Sequence, residues 1–390
     1  VPVGVLAAAL LFNLGQGVLR PSLPLYLQQV LGANYRMVTL IPVVFGVGRW
    51  IATLPTGYLL DRVGRKTLMA AGLLTIAIAD LLSVAATRFA SFLAIRGVGG
   101  IGWAMFGTVA TTLMVDRSAR RRRGRAVSLL LMCESVGLFL GTVAGGGLYQ
   151  SVGTASPFLS EAACMVLAAL IVLSWRMPPE DHASAFADRA TDRGVLREIV
   201  RTPGVRLVSG TSAALAAVQT GVLVFLFPLY LAERAQLSPA SVGYVVGLSV
   251  LGRVAALWIG GAVSDRRDRM SVLAVGLLGY GVVLGTVTFV TAPLALAVWS
   301  MAIGAGGGFV AGLPTSIVGD RVAAPSHGVA IGWLRTVTDT GMLLGPLVSG
   351  VLADAMDLTA PFLAAGAMVC ALAWACRRMS HPVQIPGDGV

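Results

Sequence analysis

Charge is what this chain has least of. Of 390 residues, 12% are Asp, Glu, Lys or Arg, against 56% hydrophobic residues and a mean hydropathy of +0.82. So few polar groups cannot cover a water-soluble globule of this length, and the composition therefore belongs in a bilayer. Histidine and cysteine are scarce as well. His182, His327 and His381 fall in polar connecting segments, and Cys133, Cys164, Cys370 and Cys376 sit in or beside apolar stretches without metal-ligand spacing. These patterns exclude a disulfide framework and a His/Cys metal centre. The chain also has no Ser/His/Asp arrangement and no phosphate-cradling loop with a lysine, so hydrolytic chemistry, ATP-driven pumping and a bound cofactor are not expected. An enzyme is not the expectation.

What the chain does have is apolar length. Stretches near 3–27, 37–60, 67–87, 89–115, 126–150, 157–175, 206–231, 240–263, 271–291, 293–319, 329–353 and 359–376 mostly reach the roughly 20 apolar residues of a spanning helix. Twelve transmembrane helices are predicted. The first stretch is too long, and too well matched by 207–231, to be a cleaved signal, and whether residues precede Val1 stays open.

The net charge of +11 is unevenly placed. Loops on one side carry twenty-one basic residues, among them Arg62, Arg65, Lys66, the run Arg120 to Arg123, Arg266 and Arg269, against Arg36, Arg88 and Arg234 on the other. The positive-inside rule then puts both termini in the cytoplasm of a multi-pass plasma (inner) membrane protein. No aromatic residue interleaves with the run Arg117 to Arg125, so it reads as a topology signal or an anionic-lipid contact, and no nucleic-acid partner is expected.

Displaced by 204 residues, the chain matches itself without a gap. Pro24-Leu25-Tyr26-Leu27 falls on Pro228-Leu229-Tyr230-Leu231, Gly48-Arg49 on Gly252-Arg253, Asp61-Arg62 on Asp265-Arg266, Arg65 on Arg269, and Asp116-Arg117 on Asp320-Arg321. Parallel repeats of this size characterise secondary transporters whose substrate site lies where the halves meet. The expected domains are residues 1–175 and 207–390, two pseudo-symmetric six-helix bundles, with 176–206 as a cytoplasmic linker.

Gly57-Tyr-Leu-Leu-Asp61-Arg62-Val-Gly64-Arg65-Lys66 follows helix two, and its degenerate copy from Gly261 to Arg269 follows helix eight. With twelve helices in two halves, this paired signature resembles the major facilitator superfamily over essentially the whole chain. The resemblance implies that Asp61 meets the start of helix eleven and that Arg65 pairs with Asp116. Asp265, Arg269 and Asp320 would repeat this, as gating contacts that exist only when the cytoplasmic side is shut. Helix five carries Gly137, Gly141 and Gly145 in a row that resembles the drug/proton antiporter signature, with Thr142 where that branch has proline. Helix eleven answers with Gly341, Gly345 and Pro346. These rows are expected to let helices of opposite halves pack closely and rock.

Charges inside apolar helices cost several kcal/mol unless paired or wet. They are Arg20, Arg49, Asp80, Arg96, Glu134, Arg253, Arg335 and Asp339, with Glu161 near an outer end. Similar depths predict two bridges between the halves, Arg49 with Asp339 and Arg253 with Glu134. Asp80 and Arg96 lie equally far from the hairpin joining helices three and four and are expected to pair. The stretch from Arg96 to Gly100 resembles an antiporter signature tied to proton coupling, making Asp80, Arg96 and Glu134 the coupling candidates and the proton the coupling ion. Whether these pairs switch or stay fixed is open at this level.

In the superfamily, helices one, four, seven and ten line the cavity. Asn13, Gln16, Arg20, Arg96, Trp103, Phe106, Gln219, Phe225, Phe227, Trp299 and Phe309 stand along them. The expected function is secondary active transport of small organic, amphipathic solutes by alternating access, as proton-coupled efflux. The alternatives are uptake or exchange of an organic anion bound by Arg20 and Arg96 and, more remotely, a membrane sensor that transports nothing. A monomer in lipid is expected.

Overall fold

The computed structural model describes residues 3–116, 123–175, 202–264, 266–322 and 327–379. The expected linker therefore falls almost wholly outside the described residues. Among those residues the fold is all helix. The first half contains α1 (Val3–Gln29), α2 (Tyr35–Val63), α3 (Arg65–Ala85), α4 (Phe89–Asp116), α5 (Arg123–Ser151) and α6 (Ser156–Ser174). The second contains α7 (Pro203–Ala217, continuing as a π-helical segment Val218–Leu226 and an α-helical segment Phe227–Glu233), α8 (Pro239–Ser264), α9 (Arg269–Thr286), α10 (Pro293–Ala311, continuing over Leu313–Arg321), α11 (His327–Ala355) and α12 (Ala360–Arg378). Among the described residues, twelve spans are long and apolar enough to cross a membrane. This is the expected twelve-helix architecture.

Local chemistry sets the ends. Asn34 caps α2 by accepting the Met37 N–H at 2.8 Å, satisfying a donor that the first turn leaves orphaned. Gly64 turns the chain from α2 into α3 at φ 87°, a conformation in which any Cβ is strained. Asp268 caps α9 through Ser271 N–H.

Packing repeats between the halves. In the first, α1 lies against α5 and α6, α2 against α4, and α3 against α4 and α6; in the second, α7 lies against α11, α8 against α10, and α9 against α12. The halves meet through α5 with α8 and α2 with α11. One end of the bundle carries the arginine-rich loops and is called the basic end here; the turns near residues 30–34, 152–155, 234–238 and 356–359 form the opposite end. The larger apolar core joins both halves at the opposite end, through Tyr26, Phe92, Tyr149 and Phe158 of the first half. The smaller core, around Phe12, Leu73, Phe106 and Met165, stays within the first half toward the basic end. The halves thus share an interior at one end only.

Candidate functional site

Backbone caps that cross between the halves seal the opposite end. Asp354 of α11 accepts the N–H groups of Tyr35 at 3.0 Å and Arg36 at 3.2 Å. Gln150 of α5 accepts the N–H of Ala240 at 3.1 Å. The two caps are related by the 204-residue offset. Gly146 beside Pro239 and Gly243, and Gly350 beside Arg36 and Thr39, repeat the same echo. Glu233 adds acceptors for Gln28 at 2.7 Å and for the Tyr35 hydroxyl. Arg49 adds hydrogen bonds between the halves at mid-depth.

The glycine rows do different work from that expected. Gly137, Gly141 and Gly145 press on the α1 backbone at Leu10, Leu14 and Val18, and Gly341 and Gly345 press on α7 at Ala213 and Ala217. Each row therefore packs within its own half. Residues four apart share one helix face, so a whole row meets one neighbour. Gly146, one residue and about 100° further round than Gly145, is what meets α8. Pro346 lies inside α11.

A polar cluster is sealed inside the first half. Arg96 of α4 donates from Nη1 to Asp80 Oδ1 of α3, with the two side chains 4% and 0% exposed. Glu161 of α6 lies within side-chain hydrogen-bonding reach of Asp80 and accepts from Gln16 of α1 at 2.6 Å. Four helices thus converge on two carboxyls and one guanidinium. Asp80 Oδ2, Glu161 Oε2 and Arg96 Nε are buried without partners. Phe45 of α2 lies 5.9 Å from the Arg96 guanidinium carbon.

Arg96 and Gln16 are consequently tied up inside the bundle rather than lining a cavity, and the Arg96 guanidinium is turned to Asp80 rather than shared with Arg20. Glu161, which the sequence places near an outer end, is the member left out of the coupling candidates. Its signal was present, since an acid five residues into a helix that starts at Ser156 is already in the apolar region.

Between the halves, Arg49 of α2 reaches Asp339 of α11 at 3.4 Å, contacts Met342 Sδ at 3.8 Å, and stacks over Trp103 at 4.9 Å. Arg253 does not pair with Glu134 in this conformation. It donates to Gln219 Oε1 at 2.7 Å, because the neighbouring α7 offers an acceptor at shorter reach. Glu134 is half-buried and pairs with no arginine among the described residues. Arg20 Nε is buried with no acceptor.

The remaining lining candidates divide. Phe106, Phe225 and Phe227 are buried core residues, with Phe12 stacked on Phe106 at 4.6 Å, because their faces point into the half-bundles. Trp299 donates to Thr286 of α9 at 3.1 Å, and Asn13 returns its amide to the Ala9 carbonyl at 3.0 Å. Trp103 and Phe309 are half-buried. At the basic end, Arg269 donates to both Asp320 oxygens at 2.8 Å, and Arg65 opens α3. The side chains of Asp61 and Asp116, and Asp265 altogether, lie outside the described residues.

Comparison with known proteins agrees with this architecture. The model of the Major Facilitator Superfamily matches residues 5–218 and 209–387. The quinolone resistance protein NorA of Staphylococcus aureus is 23% identical over 348 residues, covering 88% of this chain and 87% of that protein. The uncharacterized MFS-type transporter YcaD of Escherichia coli is 26% identical over 290 residues, covering 74% of this chain and 72% of that one. The crystal structure of the nucleoside transporter NupG superposes with a TM-score of 0.79 at 12% identity, covering 98% and 99% of the two chains. A bacterial homolog of the human lysosomal transporter Spinster, inward-facing and occupied, gives 0.77 at 16%, covering 96% of each. Twice matched by the family model and folded as twelve helices in two repeating halves, the chain belongs to the Major Facilitator Superfamily of membrane transporters.

Proposed function

We propose that this transporter exports small organic, amphipathic solutes in exchange for protons, and that the Asp80–Arg96–Glu161 cluster is where the proton binds. The observation that carries this is the cluster's unbalanced chemistry. Two carboxylates and one guanidinium sum to one negative charge, and a net charge sealed from water costs several kcal/mol. Asp80 Oδ2 and Glu161 Oε2 each lack a donor. A single proton removes the charge and supplies the missing donor. Gln16 ties the cluster to α1, so rocking of that helix can change which carboxyl holds the proton and from which side water reaches it. Glu134 is the second carboxyl available for a coupled proton.

In this reading the basic end faces the cytoplasm with both termini. Residues 1–175 and 207–390 are the rocking halves, 176–206 is the linker, and the transporter works as a monomer in lipid. The conformation described has its outer end shut. The resistance named for the Staphylococcus aureus relative supports efflux as the direction.

The test is reconstitution in liposomes with an imposed proton gradient, scoring solute movement together with substrate-dependent proton movement. Coupled movement of both is expected in the native protein. In Glu161→Gln and Asp80→Asn variants, solute movement should no longer follow the gradient. Gradient-driven transport that is unchanged in both variants would sink the proposal.

A further inference from the structure

Between the halves, two guanidinium groups have no carboxylate partner among the described residues. Arg20 stands on α1 nine residues before its last residue, Gln29, which is about 14 Å into the membrane from the opposite end. Its Nε is buried without an acceptor. The charged group that bears on it is a second cation, Arg253 of α8. Arg253 is exposed, and the Tyr280 hydroxyl is the other group that bears on its charge. Its one hydrogen-bond acceptor is the neutral Gln219 amide.

Glu134 of α5 forms no ion pair with Arg20 or Arg253 among the described residues, and the other acids are committed elsewhere. Asp339 takes Arg49, and Glu161 takes Gln16 and lies against Asp80. Two like charges facing a gap within low-dielectric walls repel, and neither can shed its charge as a lysine can. Gln219 adds to the same polarity. Its oxygen is occupied by Arg253, which leaves its NH2 to donate. It is carried by the π-helical segment Val218–Leu226, a local widening that in helices often marks a functional site. The gap is thus surrounded by donors and short of acceptors.

We propose that the gap between Arg20 and Arg253 is a binding site for the oxyanion of an amphipathic organic anion, a carboxylate or sulfonate gripped by the two guanidinium forks and the Gln219 amide. The anion supplies the charge that the protein omits. This names the cargo class of the transport reading and rests on that reading only in taking the bound anion to be cargo.

The experiment is calorimetry on the whole protein in nanodiscs of zwitterionic lipid, with 2-naphthoate and naphthalene-2-sulfonate as probes. 2-Naphthamide and 2-naphthylmethylammonium are the uncharged and cationic controls. Both acids should bind, and the controls should bind at least ten-fold more weakly. Arg20→Gln and Arg253→Gln should each weaken the acids at least ten-fold. Arg20→Lys and Arg253→Lys, which keep the charge and therefore the fold but lose the bidentate fork, should also weaken them. Controls that bind as tightly as the acids, or lysine and glutamine variants that bind like the native protein, would overturn the site. So would loss of acid binding when phosphatidylglycerol is added to the discs, which would assign the gap to a lipid headgroup. The two readings fail separately. Naphthoate that binds through the arginines but crosses no liposome membrane under any gradient upholds the site and removes the transport role, whereas other solutes moving without acid binding removes the site alone.

Discussion

Asp354, at the end of α11, accepts the Tyr35 N–H at 3.0 Å, so an acid from the second half caps the first turn of a helix in the first half. Gln150 does the same for Ala240 on the other side of the pseudo-symmetry. A cap of this kind is worth about 1 kcal/mol, and it exists only while the opposite end is shut. Asp354→Ala should therefore lower the shut-to-open ratio about five-fold, and further when combined with Gln150→Ala. Spin-label distances between the start of α2 and the end of α11 would report this, and unchanged distance distributions in the double variant would count against the cap.

The same end closes on glycines. A Cβ on Gly350 would run into the Thr39 side chain, and one on Gly146 into the Pro239 carbonyl. Gly350→Val and Gly146→Val should hold the opposite end ajar and stop turnover while leaving the helices of each half packed. Gly147→Ala is the control, since nothing lies within 4 Å of its added methyl. Measured cysteine accessibility near residues 36 and 240 should rise in the two valine variants and stay native in the control.

Outside the spans, the turn between α11 and α12 responds to pH. The Thr359 hydroxyl, followed by the N–H groups of Thr359 and Ala360 and by Arg234, holds the Asp357 carboxyl below the usual carboxylate range. A depressed folded value means that the ionised group stabilises the turn above the ordinary carboxylate range, and that this is lost as pH falls through the depressed value. The Asp357 side chain is 43% exposed, so solvent screening keeps the effect small. Melting curves of the native protein and Asp357→Asn should differ at neutral pH and converge in acid, and a constant offset at every pH would exclude the linkage.

Some of this site was legible in the chain and some was not. Helix placement is a long, redundant signal. Asp80 and Arg96 flank one turn at equal distance, so their contact needs only a hairpin. The Arg269–Asp320 pair is implied by the family resemblance, through the repeat of the loop signature in the second half. Depth can be counted along a helix, but direction depends on which helices surround it. That is why Glu161 reads as an outer acid until α1, α3 and α6 are seen together, why Arg96 and Phe106 read as lining when they point inward, and why the Gly137 row reads as an interface. Arg253 and Glu134 share a depth, yet Gln219 on the next helix is the nearer acceptor. The Gln150 cap lay within reach of the 204-residue alignment, which pairs it with Asp354. Matching by identity passes over a pair in which only the oxygen is shared.

Two arginine pairs of similar appearance should differ sharply in stability. Arg49 and Asp339 are 24% and 35% exposed at 3.4 Å, and half-wet ion pairs contribute about 0–1 kcal/mol. Arg96 and Asp80 are sealed, and removing one partner of a buried pair costs about 3–5 kcal/mol because it leaves an uncompensated charge. Arg96→Ala goes further, leaving Asp80 and Glu161 face to face with no cation between them. Thermal unfolding in detergent should thus show a large loss for Arg96→Ala and a small one for Arg49→Ala, whose defect should appear in turnover instead. Equal losses would mean that the Arg49 bridge is structural and does not open during transport.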